Sequence, residues 1–215
     1  MSLSFSLDSK VLATLTSEGA VRLWDLETKQ SRILFKTKQH TAASSIAFAP
    51  GSNILAMGGF GNVKFVDVNK EVVTHETAKD HNAAPDNIAS PTNLVFTPDG
   101  TKLAGASGRR LWIWDPKTGR EWATLSYPGK LTPLYLAFSP DGKMLAVSLH
   151  GVRDDPNYLE IWDVENKKNL GRFLCHPKSV HHVAWSPDGK MLATASMDKT
   201  VKIWDVAVIL AKIKE

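Results

Sequence analysis

The dipeptide Trp-Asp returns along this chain at Trp24-Asp25, Trp114-Asp115, Trp162-Asp163 and Trp204-Asp205, and a worn copy, Val66-Asp67, fills the one long gap. The aspartates are 42, 48, 48 and 42 residues apart. A fixed period of this length makes the chain an array of supersecondary units, each of which hides its apolar surface against its neighbours.

Other positions keep the same phase. About twenty residues before each aspartate stands a large apolar residue, Phe5, Phe48, Phe96, Phe138 or Trp185. Two residues earlier comes an aliphatic one, Leu3, Ile46, Leu94, Leu136 or Val183. This period of two is that of a short strand. A turn follows, Thr97-Pro98-Asp99-Gly100, Ser139-Pro140-Asp141-Gly142 or Ser186-Pro187-Asp188-Gly189. Pro fixes φ there, Asp bonds nearby backbone and Gly takes positive φ. Ser6-Leu7-Asp8-Ser9 and Ala49-Pro50-Gly51-Ser52 read as eroded copies. A second strand opens on Leu-Ala in every copy, at Leu12, Leu55, Leu103, Leu145 and Leu192, and a third runs into Trp-Asp. A fourth, variable segment covers 31–35, 71–77, 121–125, 169–174 and 208–213; the last of these is expected to complete the fifth copy as a strand, with a frayed or helical tail as the alternative.

Four antiparallel strands per copy cannot close a core alone. The chain resembles the WD-repeat β-propeller family over nearly its whole length. The resemblance implies an all-β fold of five four-stranded blades, near 1–37, 40–78, 88–127, 131–174 and 179–215, in one array. Three arrangements stay open: an arc of a larger propeller, a small ring, or assembly with another copy.

The resemblance also implies a buried hydrogen-bond network in each blade. The last repeat supplies it in full, with His176, Thr194 or Ser196, Asp198 and Trp204. Buried imidazole, carboxylate and indole groups need partners and can satisfy one another. His176, Ser196 and Asp198 are therefore read as a fold staple and not as a hydrolase triad. The other copies depart from the pattern, with Glu18, Met57, Val66, Gly105 and Tyr127-Pro128 at its positions.

Composition bounds the function. The net charge is +4, and the one cysteine, Cys175, excludes an intrachain disulfide, which fits a reducing, cytoplasmic setting. No apolar run approaches the ~20 residues of a membrane helix. Between Asp99 and Lys130 six basic residues face three acidic ones. That is a weaker basic stripe than nucleic-acid binding asks for. No nucleotide loop, nucleophile elbow or metal spacing is found, so no catalytic residue, cofactor or metal site is expected. His181 and His182 are expected to point to opposite faces of a strand.

With the four strands of each copy lettered a to d in chain order, strand parity places the b–c and d–a loops at one end of the blades. Two insertions fall there. From the second-strand Leu to the Trp-Asp aspartate the counts are 13, 12, 12, 18 and 13, so the fourth copy carries extra residues around His150, Arg153, Asp154, Asp155 and Tyr158. The stretch between His81 and Phe96 is also long and holds Asp86 and Asn87. Loops on a rigid scaffold carry function. The third-strand column Arg22, Lys64, Trp112, Glu160, Lys202 adds Trp112, which packs on Trp122 or stands exposed beside Arg109 and Arg110, in a hot-spot composition. The expectation is a non-enzymatic scaffold that offers this loop end to partner proteins. Phosphate or nucleic-acid binding through the basic third copy, and an enzyme or sensor using the 150–158 loop, are the alternatives.

Overall fold

The computed structural model describes residues 2–16, 18–36, 44–59, 62–78, 92–127, 131–151 and 157–213, with Thr92 described by its backbone alone. It is all-β apart from one short helix. Four sheets have four antiparallel strands each: β1 (Ser2–Phe5), β2 (Val11–Leu15), β3 (Ala20–Asp25) and β4 (Ser31–Lys36); β5 (Ser45–Phe48), β6 (Ile54–Gly59), β7 (Asn62–Asp67) and β8 (Val72–Glu76); β9 (Thr92–Phe96), β10 (Leu103–Ser107), β11 (Arg110–Trp114) and β12 (Glu121–Ser126); β13 (Thr132–Phe138), β14 (Met144–His150), β15 (Asn157–Asp163) and β16 (Lys168–His176). Each sheet is ordered as in the sequence. These are the blades that the Trp-Asp period implies.

The fifth sheet corrects the expectation of a fourth strand over 208–213. It has three strands, β17 (Val180–Trp185), β18 (Met191–Ser196) and β19 (Val201–Asp205), and the chain then enters helix α1 (Val206–Lys212). Asp205 caps the helix, its side chain accepting the Val208 N–H at 3.1 Å. The Trp-Asp aspartate, which opens a strand-to-strand turn in the other copies, here starts a helical turn. Val206, Ile209, Leu210 and Ile213 then pack with Leu170, Phe173 and Trp204.

Four of the five hairpins between first and second strands share one lock, which the second sheet, with Ala49 at the hydroxyl position, lacks. Ser139 Oγ donates to Asp141 Oδ1 at 2.6 Å and accepts the Met144 N–H at 2.9 Å, while Asp141 Oδ1 accepts the Lys143 N–H. Ser186/Asp188 and Thr97/Asp99 repeat this. So do Ser6 and Asp8, where Ser9 takes the positive φ that Gly takes elsewhere. The first copy is therefore eroded in letters and intact in geometry.

The chain divides into two compact units. One comprises Met1–Gly105 and Trp112–Trp122, the other Ala106–Leu111 and Ala123–Glu215, so the division passes through the third sheet. In the first unit Ala13, Leu15, Val21 and Leu23 pack against Ile46, Phe48, Leu55, Met57 and Val66 of the second sheet. The other side of that second sheet, with Ala47, Ala56, Val63 and Phe65, packs on Leu94, Leu103, Trp112 and Trp114. In the second unit Ala146, Leu159 and Ile161 pack against Val183 and Leu192 of the fifth sheet. Alternation turns Leu55, Leu103 and Leu192 toward the preceding sheet of their unit and leaves Ala13, Ala56 and Ala146, small enough for close approach, facing the next.

Candidate interaction surface

The polar network of the fifth sheet is a linear relay. Trp204 donates its indole N–H to Thr194 Oγ1 at 2.9 Å, and Thr194 Oγ1 lies 2.8 Å from His176 Nε2. His176 Nδ1 lies 2.8 Å from Asp198 Oδ2. One tautomer satisfies every member: Nδ1–H donates to the carboxylate and Nε2 accepts the threonine hydroxyl proton. The Thr200 hydroxyl, followed by His176 and the Thr200 N–H, holds the Asp198 carboxyl well below the usual carboxylate range. Ser196 stands outside the relay and donates to Lys178 O at 3.0 Å. His176 and Thr194 are both buried, and Thr194, not Ser196, is the hydroxyl that serves the imidazole.

The fourth sheet solves the same problem differently. Trp162 gives its indole N–H to Glu160 Oε1, and the Tyr127 phenol donates to the same oxygen at 2.8 Å. Glu160 is only 2% exposed, although it stands in the third-strand column that carries a charged residue in three other copies. The expected hydroxyl, Ser148, instead accepts the Tyr135 N–H at 3.0 Å. Elsewhere the column shields indole and phenyl faces. Lys202 lies 5.6 Å from the Trp204 ring, Arg22 5.8 Å from Trp24 and Lys64 5.8 Å from Phe35.

The expectation for Trp112 is corrected. It is 8% exposed, stacks on Trp114 with ring centroids 6.0 Å apart, and belongs to the core between second and third sheets. Trp122 instead receives Lys102 over its ring at 4.8 Å. Trp112 is therefore no surface hot spot. Residue pattern alone could not separate a buried from an exposed aromatic at a position where the other copies carry charge.

Within the second unit the b–c and d–a connections meet at one end. The Ser179 hydroxyl, from the connection between β16 and β17, lies 2.8 Å from His150 Nδ1 at the end of β14. Asn157 Oδ1, at the start of β15, lies 3.1 Å from the same nitrogen. Tyr127, just past β12, donates its N–H to Arg109 O at 2.9 Å, in the tight β10–β11 turn where Gly108 takes positive φ. Arg109 is exposed and Arg110, at the head of β11, is half-buried. Tyr158 lies under the guanidinium of the exposed Arg172, 5.1 Å from the ring. Arg153, Asp154, Asp155, Asp86 and Asn87 lie outside the described residues, as do His40, His81 and Pro128.

His181 and His182 also depart from expectation. A bulge between Val180 and His182 breaks the alternation, and both rings approach Tyr135, at 6.2 and 6.4 Å. At the opposite end of the sheets the Trp-Asp carboxylates cap turns. Asp25 accepts the N–H groups of Glu27 and Thr28, Asp67 those of Asn69 and Lys70, and Asp163 that of Asn166. Backbone and side-chain donors hold each below its ordinary range, the reverse of what a general acid requires.

Comparison with known proteins agrees with this geometry. The profile of the family described as "WD domain, G-beta repeat" matches residues 167–205, the stretch that carries the complete relay. The chain is 32% identical over 168 residues to WD repeat-containing protein SL1-17 of Schistosoma mansoni, covering 76% of this chain and 46% of that protein. It is 29% identical over 209 residues to Transcriptional corepressor LEUNIG_HOMOLOG of Arabidopsis thaliana, covering 95% of this chain and 24% of that protein. Telomerase Cajal body protein 1 of Rattus norvegicus is 26% identical over 169 residues, with 76% and 31% covered. The chain thus spans less than half the length of these relatives.

Proposed function

The chain belongs to the WD-repeat family, and from that premise we propose that it is a non-enzymatic scaffold whose b–c/d–a loop end receives a partner protein. Relatives of this family are typically protein-interaction scaffolds. The observation that carries the reading is the junction of Ser179, His150 and Asn157, which ties loops of two neighbouring sheets into one platform. Arg109, Tyr158 and Arg172 supply cationic and aromatic groups of the kind enriched at interface centres. His150 and Asn157 flank the extra residues of the fourth copy in the sequence. Among the described residues His176 and Asp198 are engaged in the relay and Asp25, Asp67 and Asp163 in turn caps, which supports a binding role over a chemical one.

The test compares two ends of one blade array. Arg109→Glu with Tyr158→Ala alters the platform, and Lys143→Glu with Lys190→Glu alters exposed positions at the other end. Partners captured by the intact protein are quantified for each pair. Loss confined to the platform variants is the expected result. Equal loss, or loss only with the lysine variants, refutes the assignment.

A further inference from the structure

Within the second unit the two ends of the sheets differ in how their charges are arranged. At the end that carries the Trp-Asp turns, the bases of the turns follow acids closely in the chain. Lys143 follows Asp141, Lys190 follows Asp188, and Lys167 and Lys168 follow Asp163 and Glu165. At the loop end the three fully described connections carry one exposed base each, Arg109 after β10, Lys178 after β16 and Lys199 after β18. The one acid in these connections, Asp198, has its carboxylate against His176 Nδ1 at 2.8 Å and the Thr200 N–H at 2.9 Å. Glu160, further along β15, is buried and accepts from Tyr127 and Trp162. The connections outside the described residues hold Lys130 and Arg153 against Asp154 and Asp155, and so add no net charge.

The backbone holds these bases in place. The Met197 N–H donates to Ser179 O at 2.9 Å and Ser196 Oγ donates to Lys178 O at 3.0 Å, which clamps the turn bearing Lys199 onto the connection bearing Lys178. The Lys199 N–H closes that turn on Ser196 O at 3.1 Å. Met197, 58% exposed, belongs to the same clamp and adds an adaptable apolar group. On the fourth sheet the exposed Arg172 is braced by the Tyr158 ring at 5.1 Å, and a braced guanidinium offers a planar fork suited to a carboxylate. Among the described residues none of Arg172, Lys178 and Lys199 has a carboxylate within ion-pair distance. Lys178 and Lys199 sit on connections, not on the sheet faces against which a further repeat packs.

We propose that the loop end of the second unit receives an acidic segment of the partner protein, whose carboxylates meet Lys178, Lys199 and Arg172 and whose apolar residue meets Met197. The inference rests on the scaffold reading above and names the chemistry of the partner. A patch of one sign, left uncompensated by its own chain, steers and orients the opposite sign. A single-stranded nucleic acid would ask in addition for open aromatic faces on which bases stack. The described tyrosines of this end are already engaged: Tyr127 is buried, Tyr158 lies under Arg172, and Tyr135 lies against His181 and His182.

Fluorescence anisotropy of a labelled peptide, one leucine between two short runs of glutamate, reads the binding to the 215-residue chain. The peptide is expected to bind at about 50 mM salt and to be released toward about 500 mM, where exposed charges are screened. Lys178→Glu with Lys199→Glu, and Arg172→Glu by itself, should each weaken it about tenfold or more. Lys143→Glu with Lys190→Glu, at the other end, should leave it unchanged. Lys178→Gln, Lys199→Gln and Arg172→Gln replace any glutamate variant whose circular dichroism spectrum changes. A peptide that does not bind, equal loss with variants of both ends, or tighter binding of a single-stranded DNA of the same charge overturns the proposal. If the peptide fails while partner capture still depends on Arg109 and Tyr158, the scaffold reading stands without this inference. A peptide bound through these bases while capture ignores the loop end supports the acidic site and overturns the scaffold reading instead.

Discussion

The Tyr127 phenol and Glu160 meet at 2.8 Å across the step from the third sheet's last strand to the fourth sheet, on the oxygen that also receives the Trp162 indole. A buried phenol and a half-buried indole thus share one buried acceptor. Removing one donor leaves the carboxylate short of a partner, and a hydrogen bond to a charged group contributes about 1.5–3 kcal/mol. Tyr127→Phe is therefore expected to cost about 2 kcal/mol in urea denaturation, and Glu160→Ala more, because it orphans both donors. Burial first, and the Glu160 charge next, push the phenol's ionisation up. A group with a raised folded value stabilises below its unfolded value and loses that contribution as pH rises. Above about pH 10 the wild type should lose stability more steeply than Tyr127→Phe.

For Asp198 the sign is the opposite. Its folded value is lowered, by the Thr200 hydroxyl first, so its contribution is present above about pH 4 and lost as pH falls through the folded value. Asp198→Asn should be less stable than wild type at neutral pH and converge on it in acid. Acid titration followed by tryptophan fluorescence reads this. Parallel curves across the whole range would exclude the linkage.

Trp204 and Val66 occupy equivalent places but do unequal work. Trp204 bonds Thr194 and meets Phe173 edge to face at 5.0 Å, whereas Val66 contributes burial alone. Trp204→Ala is expected to cost about 3 kcal/mol and Val66→Ala about 2 kcal/mol. Chemical denaturation of both variants ranks them, and an equal or reversed loss would break the argument.

Gly171 admits α1. At its φ of +139° a Cβ would stand 2.7 Å from Ile213 Cβ, in a conformation that side chains rarely adopt. Gly171→Val should undock the helix at a cost of about 2 kcal/mol. Amide exchange over 206–212 should quicken by roughly thirtyfold, with the fourth sheet's protection retained.

Cys175 is buried, and desolvation pushes its thiol up to about 11. Against an ordinary thiol this leaves roughly a hundredfold less thiolate at neutral pH. A thiol reagent should therefore react slowly with the folded chain and at the normal rate in urea.

The repeat made most of the fold legible, because sheet alternation and turn chemistry are local and every copy restates them. The relay of the last sheet was equally plain, since His176, Thr194, Asp198 and Trp204 carry their chemistry in their letters. Ser196 shows where that stops, because only its position in the strand decides that it bonds Lys178 O. Trp112 and Glu160 were hidden for a related reason. They stand in a column of otherwise charged residues, and burial there depends on the neighbouring sheet. The helix at 206–212 turns on one event, the capping of Val208 by Asp205 in place of a turn to another strand. The bulge that brings His181 and His182 to one ring has no signal in residue type.

The Ser–Asp hairpin lock closes within six residues and draws on nothing outside them. Such a cassette carries its own folding instructions wherever it is copied. Lineages of this architecture can lengthen or shorten by duplication without redesigning the turn, and the burden of change falls on the faces that must greet a new neighbour.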